Sequence, residues 1–168
     1  FKEHAHQVAT TKDARSDSIG AINTLRRLAD RWEGRNTDAD GFLAPLSDLD
    51  LRERRVAILG AGGAARSVAA ALRGSGALTT IYARKADAAR TVAAATGAAA
   101  SGWPPPHDAW DVLVNATPVG TASASASPLL LRGPLAGRLV YDRVYNPPET
   151  ALLRSARALG AGTIGGLP

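Results

Sequence analysis

Residues 56–72 read V-A-I-L-G-A-G-G-A-A-R-S-V-A-A-A-L, and this stretch restricts the fold more than any other. Four apolar residues run into Gly60, a Gly-rich turn follows, and an Ala-rich segment continues without a breaker until Gly74. That order spells strand, tight turn, helix. Gly60, Gly62 and Ala65 form G-x-G-x-x-A, a variant of the dinucleotide-binding fingerprint. Gly60 permits the tight turn, Gly62 leaves room for a pyrophosphate against the backbone, and Ala65 lets the helix pack closely on the strand. The first helical N–H groups then face the phosphates, aided by the helix dipole. Alone the pattern is weak, because glycines also make plain tight turns. The flanking strand and helix supply the context that favours a cofactor.

From Val56 onward strand and helix signals alternate. Strands are predicted over 56–59, 78–82, 98–100, 111–115, 139–142 and 163–165, and helices over 63–73, 86–96 and 149–159. Residues 101–107 contain Pro104-Pro105-Pro106 and read as a loop, as do residues 116–127 with their T-A-S-A-S-A-S run. Alternation of this kind predicts an α/β, doubly wound, parallel-sheet Rossmann domain covered on both faces. Before it, residues 1–17 suit a helix or ordered loop, residues 20–28 a strand, 29–31 a turn and 32–36 a strand that pairs back. Thr37 is a candidate N-cap with Asp40 three residues later, opening a helix to Leu46. Residues 47–55 read as a linker. Two units are therefore expected, residues 1–47 and residues 48–168.

Composition narrows the function. The 168 residues contain no Cys, so neither a disulfide framework nor a thiolate metal site is available. His4, His6 and His107 form no ligand cluster and read as solvated surface, so no metal is expected. The net charge of +5 raises nucleic acid as a partner. The Arg residues are dispersed, however, and the tightest group, Arg52, Arg54 and Arg55, is not interleaved with aromatics. No nucleic-acid partner is expected. No segment approaches the roughly 18 apolar residues of a membrane span, and no signal peptide is visible. No membrane partner is expected, and the cytoplasm is the default compartment. The chain opens Phe-Lys-Glu and contains no Met, which reads as an internal piece of a longer protein.

The second strand of such a domain ends near the adenine ribose of the dinucleotide. An acid there binds the 2′-hydroxyl of NAD, and Arg accommodates the 2′-phosphate of NADP. Here the strand runs into Ile81-Tyr82-Ala83-Arg84-Lys85, with two cations and no acid. Arg binds phosphate bidentately, so NADP is expected over NAD. Arg90 reads as surface.

Several separated segments together resemble the shikimate dehydrogenase family. They are Phe1-Lys2-Glu3, Ile19-Gly20-Ala21-Ile22-Asn23-Thr24, Gly34-Arg35-Asn36-Thr37-Asp38 with Gly41, the Gly60 to Ala65 turn, and Asn115-Ala116-Thr117-Pro118-Val119-Gly120. Asp142-x-x-Tyr145-Asn146-Pro147-x-x-Thr150 and Gly165-Gly166-Leu167 complete the series. The resemblance implies a substrate domain, here a remnant truncated like the chain at both ends, and an NADP domain. It implies NADPH-dependent, reversible reduction of 3-dehydroshikimate to shikimate in aromatic amino-acid biosynthesis, by a monomer or homodimer acting on a small molecule. Carried onto this sequence, Lys2 and Asp38 match the catalytic lysine and its aspartate, and Asn23 and Tyr145 match substrate-binding residues. Cofactor contacts are implied for Gly60, Ala61, Gly62, Gly63, Ala64 and Ala65, for Arg84 and Lys85, for Asn115, Ala116 and Thr117, and for Val144 and Gly165. The residue types suit the chemistry. A ketone that receives a hydride needs a proton, which a Lys ammonium held by a carboxylate donates, and an amide such as Asn23 hydrogen-bonds a polyhydroxylated acid. On spacing alone, Lys2 is a surface lysine and Asp38 a first-turn helix acid. Asn23 sits mid-strand, where Asn is disfavoured. The sequence lacks the family's N-terminal Ser motif and its downstream Gln, and has Ala83 and Thr121 where Asn and Met are frequent. Without the missing parts, Ile19, Ile22, Leu25 and Phe42 are expected at the surface. An NAD-dependent quinate/shikimate dehydrogenase and a non-catalytic dinucleotide-binding module are the alternatives.

Overall fold

Polar side chains that cap helices shape the first part of the chain. The computed structural model describes residues 2–20, 22–123 and 125–166; the side chains of Lys2, Glu3, Arg15 and Ser18 lie outside the description, as do Phe1, Ala21 and Leu167 of the family segments. Helix α1 spans Lys2–Val8, a two-residue strand β1 Thr11–Lys12, and helix α2 Ala14–Ile19. Asp13 caps α2: its carboxylate accepts from the Ser16 N–H at 2.9 Å and from the Ser16 hydroxyl at 2.6 Å. The Ser16 hydroxyl oxygen in turn accepts from the Asn36 N–H at 2.8 Å, which ties α2 to the start of the next helix. Gly20 ends α2 at φ 67, a left-handed conformation that costs other residues about 1 kcal/mol.

That cap corrects the strand predicted over 20–28. Strand β2 covers only Thr24–Leu28, and Asn23 lies just before it. The expected turn follows, and β3, Arg31–Arg35, pairs back antiparallel in register Thr24↔Arg35 to Leu28↔Arg31. A parallel pairing with β1 completes a three-stranded sheet. Gly34 in β3 is needed for close approach, since a Cβ there would overlap Ile22 and Ala9. Helix α3, Thr37–Leu43, begins one residue earlier than predicted. Asn36, not Thr37, is its N-cap and accepts from the Ala39 N–H at 3.3 Å. A short 3-10 turn over Ala44–Leu46 follows.

The second part folds as a six-stranded parallel sheet. Its strands are β4 (Arg55–Leu59), β5 (Leu78–Tyr82), β6 (Ala99–Ser101), β7 (Val112–Asn115), β8 (Leu139–Asp142) and β9 (Gly162–Ile164), in the order β6-β5-β4-β7-β8-β9. Helices α4 (Gly63–Leu72), α5 (Ala86–Thr96) and α6 (Ala151–Ala158) cover it. Period-two alternation assigns the core. Val56, Ile58, Val112, Val114 and Tyr141 face one apolar cluster with α4 and α5, while Ala57, Leu59, Leu113 and Val140 face another with α6. The chain runs outward from β4 through β5 to β6, then returns to β7 and runs the other way. The reversal between β4 and β7 is the topological switch point of a doubly wound sheet.

The two parts share a core. Helices α2 and α3 pack on α4, and Ile19, Ala39, Phe42 and Leu46 join the α4 cluster. Phe42 stacks on Tyr141 with ring centroids 5.2 Å apart and planes inclined by 17°. Ile19, Ile22 and Phe42 are therefore buried rather than exposed, because helix faces of this chain cover them; only Leu25, on the sparsely covered β2, stays at the surface.

At the amino end of β4, Arg55 forks onto Asp111 through Nε at 3.1 Å and Nη2 at 2.6 Å. The guanidinium holds the Asp111 carboxyl at about 2, below its ordinary 3.8. The folded chain thus binds that proton less tightly than the unfolded chain. The stabilisation is full above the ordinary value and is lost as pH falls toward about 2. Asp111→Asn is expected to cost about 1 kcal/mol at pH 7, after allowance for solvent screening, and the difference from the parent is expected to shrink in urea melts below about pH 3.5.

Candidate functional site

The carboxyl ends of β4 and β7 open a crevice at the switch point. Gly60 leaves β4 at φ 108, and a Cβ there would sit 3.2 Å from the Ala116 carbonyl oxygen and 3.2 Å from Thr117 Cγ2. This glycine lets two loops touch. Gly60→Ala is expected to cost about 1–3 kcal/mol through strain and crowding, read as a lower urea midpoint. At Gly62 and Gly63 the situation is opposite: a Cβ at either would meet nothing within 4 Å. They border open space, and Gly62, the N-cap of α4, offers no side-chain cap. The first N–H groups of α4 have no intrahelical acceptor, and the positive end of its dipole points the same way. Ala65 is fully buried under the helix, as close packing on the strand requires.

Two arms leave this turn. The first is a cleft of about 930 Å³ lined by Gly60, Ala61, Gly62, Ala116 and Thr117 that reaches Arg84 and Lys85. Those cations stand exposed just past the end of β5, and Lys85 is the N-cap residue of α5. Neither side chain has a hydrogen-bond or ion-pair partner among the described residues. Arg90 behaves differently and pairs with Asp87 at the surface. The second arm, about 450 Å³, adjoins Gly62, Gly63 and Ala64 and is bounded by Arg143, Val144, Tyr145 and Asn146. Tyr145 is 64% exposed. Gly165 lies half-buried beside Gly166, where a Cβ would approach the Arg143 carbonyl oxygen to 2.7 Å.

A buried polar network holds the loops that form these arms. Asn115 and Asp142 end adjacent strands and are fully buried. The Asn115 amide donates to Asp142 Oδ1 at 2.8 Å and to the Val119 carbonyl at 3.3 Å. Its oxygen accepts from Thr117 N–H at 3.0 Å and from the Thr117 hydroxyl at 2.7 Å. Asp142 also accepts from Val144 N–H at 3.0 Å and from the Thr150 hydroxyl at 2.6 Å, and Thr150 caps α6. The Asn115 side chain is thus occupied in shaping the 115–119 loop. The roles of Asp142 and Thr150 escape sequence reasoning. Their signal is the D-x-x-Y-N-P-x-x-T spacing, which gains meaning only when β7 and β8 are neighbours.

Two of the remaining sequence-predicted residues, Asn23 and Asp38, lie at the start of α3. The Asn23 oxygen accepts from Thr37 N–H at 3.0 Å, and its amide donates to Thr37 Oγ1 at 3.1 Å. Asp38, the next residue, is half-buried in the first turn of α3. Lys2 begins α1, with its side chain outside the description. Among the described residues no group of His, Asp or Glu is arranged to hold a metal, and no helix is long and apolar enough to cross a membrane.

No protein-family model matches the chain. A curated relative, the NADP(+) shikimate dehydrogenase of Shouchella clausii, is 37% identical over 166 residues, which cover 92% of this chain and 60% of the relative. The chain belongs to the shikimate dehydrogenase family. It spans about 60% of the length of the curated relatives it matches. The solved shikimate 5-dehydrogenase of Thermus thermophilus in complex with NADP(H) and shikimate is 36% identical and superposes with a TM-score of 0.86, over 98% of this chain and 63% of that one. A ligand-free 5-ketofructose reductase from Gluconobacter, 34% identical over 98% of this chain and 64% of its own, superposes with a TM-score of 0.83. Members of the shikimate dehydrogenase family and a sugar reductase thus share this arrangement.

Proposed function

We propose that the chain carries the NADP-binding part and a portion of the substrate part of a shikimate dehydrogenase, which reduces 3-dehydroshikimate to shikimate reversibly. The observation that carries this reading is the crevice itself. An uncapped helix start faces open space at Gly62 and Gly63, and one arm leads from it to Arg84 and Lys85, which are unpaired among the described residues. A pyrophosphate fits the helix start, and a 2′-phosphate fits the two cations. Gly60 to Ala65, Ala116, Thr117, Val144 and Gly165 supply the walls, and Asn115 sets the loop. Residues 1–47 then belong to the substrate side and residues 48–168 to the cofactor side.

NADPH, when bound, supplies the hydride. The chain's own residues do the rest. Lys2 donates the proton that turns the ketone oxygen into a hydroxyl, and Asp38 holds and tunes that ammonium. Asn23 hydrogen-bonds a ring hydroxyl, and Tyr145 borders the second arm on the substrate side. The enzyme is cytoplasmic, a monomer or a homodimer. Calorimetric titration of the chain tests the cofactor assignment: NADP+ is expected to bind at least tenfold more tightly than NAD+, and equal affinity would contradict it. A second reading, reduction of a different polyhydroxylated ketone at the same site, is favoured by the likeness to the 5-ketofructose reductase. Shikimate turnover separates the two.

A further inference from the structure

Trp103 has no assigned role, yet it lines the cofactor cleft together with Ala83, Arg84 and Ala88. It stands two residues beyond β6, at the carboxyl end of the sheet. It is half-buried, packed on the apolar cluster that contains Trp110 and Leu131. One side of the indole is thus anchored while the other borders the cleft. Along the sheet the order from the switch point outward is β4, β5, β6. The cleft follows it from the Gly-rich turn to Arg84 and Lys85 and then to Trp103. A dinucleotide half has the same order: phosphate, ribose, base. The two small residues, Ala83 and Ala88, leave room for a flat ring.

We propose that Trp103 is the stacking platform for the adenine of the cofactor, a binding determinant shared by both phosphorylated and unphosphorylated dinucleotides. The inference rests on the cofactor reading above. An aromatic face stacks on any base and adds affinity through its π-surface and the area it removes from water. Arg84 and Lys85 recognise the 2′-phosphate, whereas Trp103 recognises the base. Their loss therefore has different signatures.

Titration of the chain with NADP+, NAD+ and 2′,5′-ADP separates these contributions. Trp103→Ala is expected to weaken all three by a similar factor, about tenfold to a hundredfold. Trp103→Phe is expected to retain most of the affinity. Since the alanine variant removes a partly packed side chain, a second readout uses only the parent and Trp103→Phe. The quenching of tryptophan fluorescence by 2′,5′-ADP is expected in the parent and largely absent in the variant. Unchanged affinity in a folded Trp103→Ala, or undiminished quenching in Trp103→Phe, would overturn the assignment of Trp103 while leaving the cofactor reading intact. A parent chain that binds none of the three ligands would instead overturn the cofactor reading, and the Trp103 assignment with it.

Discussion

Asp142→Ala is expected to lower the stability of the chain by about 3–5 kcal/mol, more than either Gly60→Ala or Asp111→Asn. The carboxylate is fully buried and accepts from the Asn115 amide, the Val144 N–H and the Thr150 hydroxyl. Removing it takes an acceptor from all three donors, of which the Asn115 amide alone keeps another, the Val119 carbonyl. An unsatisfied buried donor costs about 1–3 kcal/mol, and donors in one network do not add simply. The urea midpoint is expected to fall with the slope unchanged. Asp142→Asn keeps the shape but turns one acceptor into a donor that faces donors, so it is expected to cost about 2 kcal/mol. A cost below about 1 kcal/mol for Asp142→Ala would show that the strand ends hold without this network.

Replacing Arg84 and Lys85 together by Ala is expected to weaken NADP+ binding about tenfold to a hundredfold, as for loss of one or two charge-assisted hydrogen bonds. NAD+ binding is expected to stay within about twofold, because NAD+ lacks the 2′-phosphate that the proposed function assigns to these cations. Both cations sit at the amino end of α5, with Lys85 at the N-cap, where the helix dipole disfavours positive charge. The same double variant is therefore expected to be slightly more stable than the parent. Opposite signs for stability and binding mark residues retained for a ligand rather than for the fold. The NADP+ loss is expected to shrink at high salt, since both cations are exposed. Equal losses for NADP+ and NAD+ would place the pair outside the 2′-phosphate site.

Much of the sheet is legible in the sequence because burial and alternation act locally. V-A-I-L and V-L-V-N are apolar almost throughout, and both become central strands that send alternate side chains to opposite faces. The crevice is legible for a related reason: Gly60 answers the local demand of a positive φ and Ala65 that of close helix–strand packing, while Gly62 borders open space. The first part of the chain is less legible. A-R-S-D-S-I carries no helical stripe, and α2 exists because Asp13 and Gly20 cap it. Asn36 and Thr37 are both good N-caps, and long-range burial against Ser16 decides between them. Phe42 reads as exposed until Tyr141, distant in sequence, stacks on it. Asp142 is likewise silent until Asn115 lies beside it. Residues whose partners are remote in the chain are the ones that local pattern misses.

The most direct measurement is absorbance at 340 nm after shikimate and NADP+ are added to the chain joined to the segments by which shikimate dehydrogenases exceed it. Shikimate-dependent NADPH formation is expected, with loss of about a hundredfold or more in Lys2→Ala and in Asp38→Asn. NADP+ binding without shikimate oxidation, or turnover only with another polyol, would contradict the assignment.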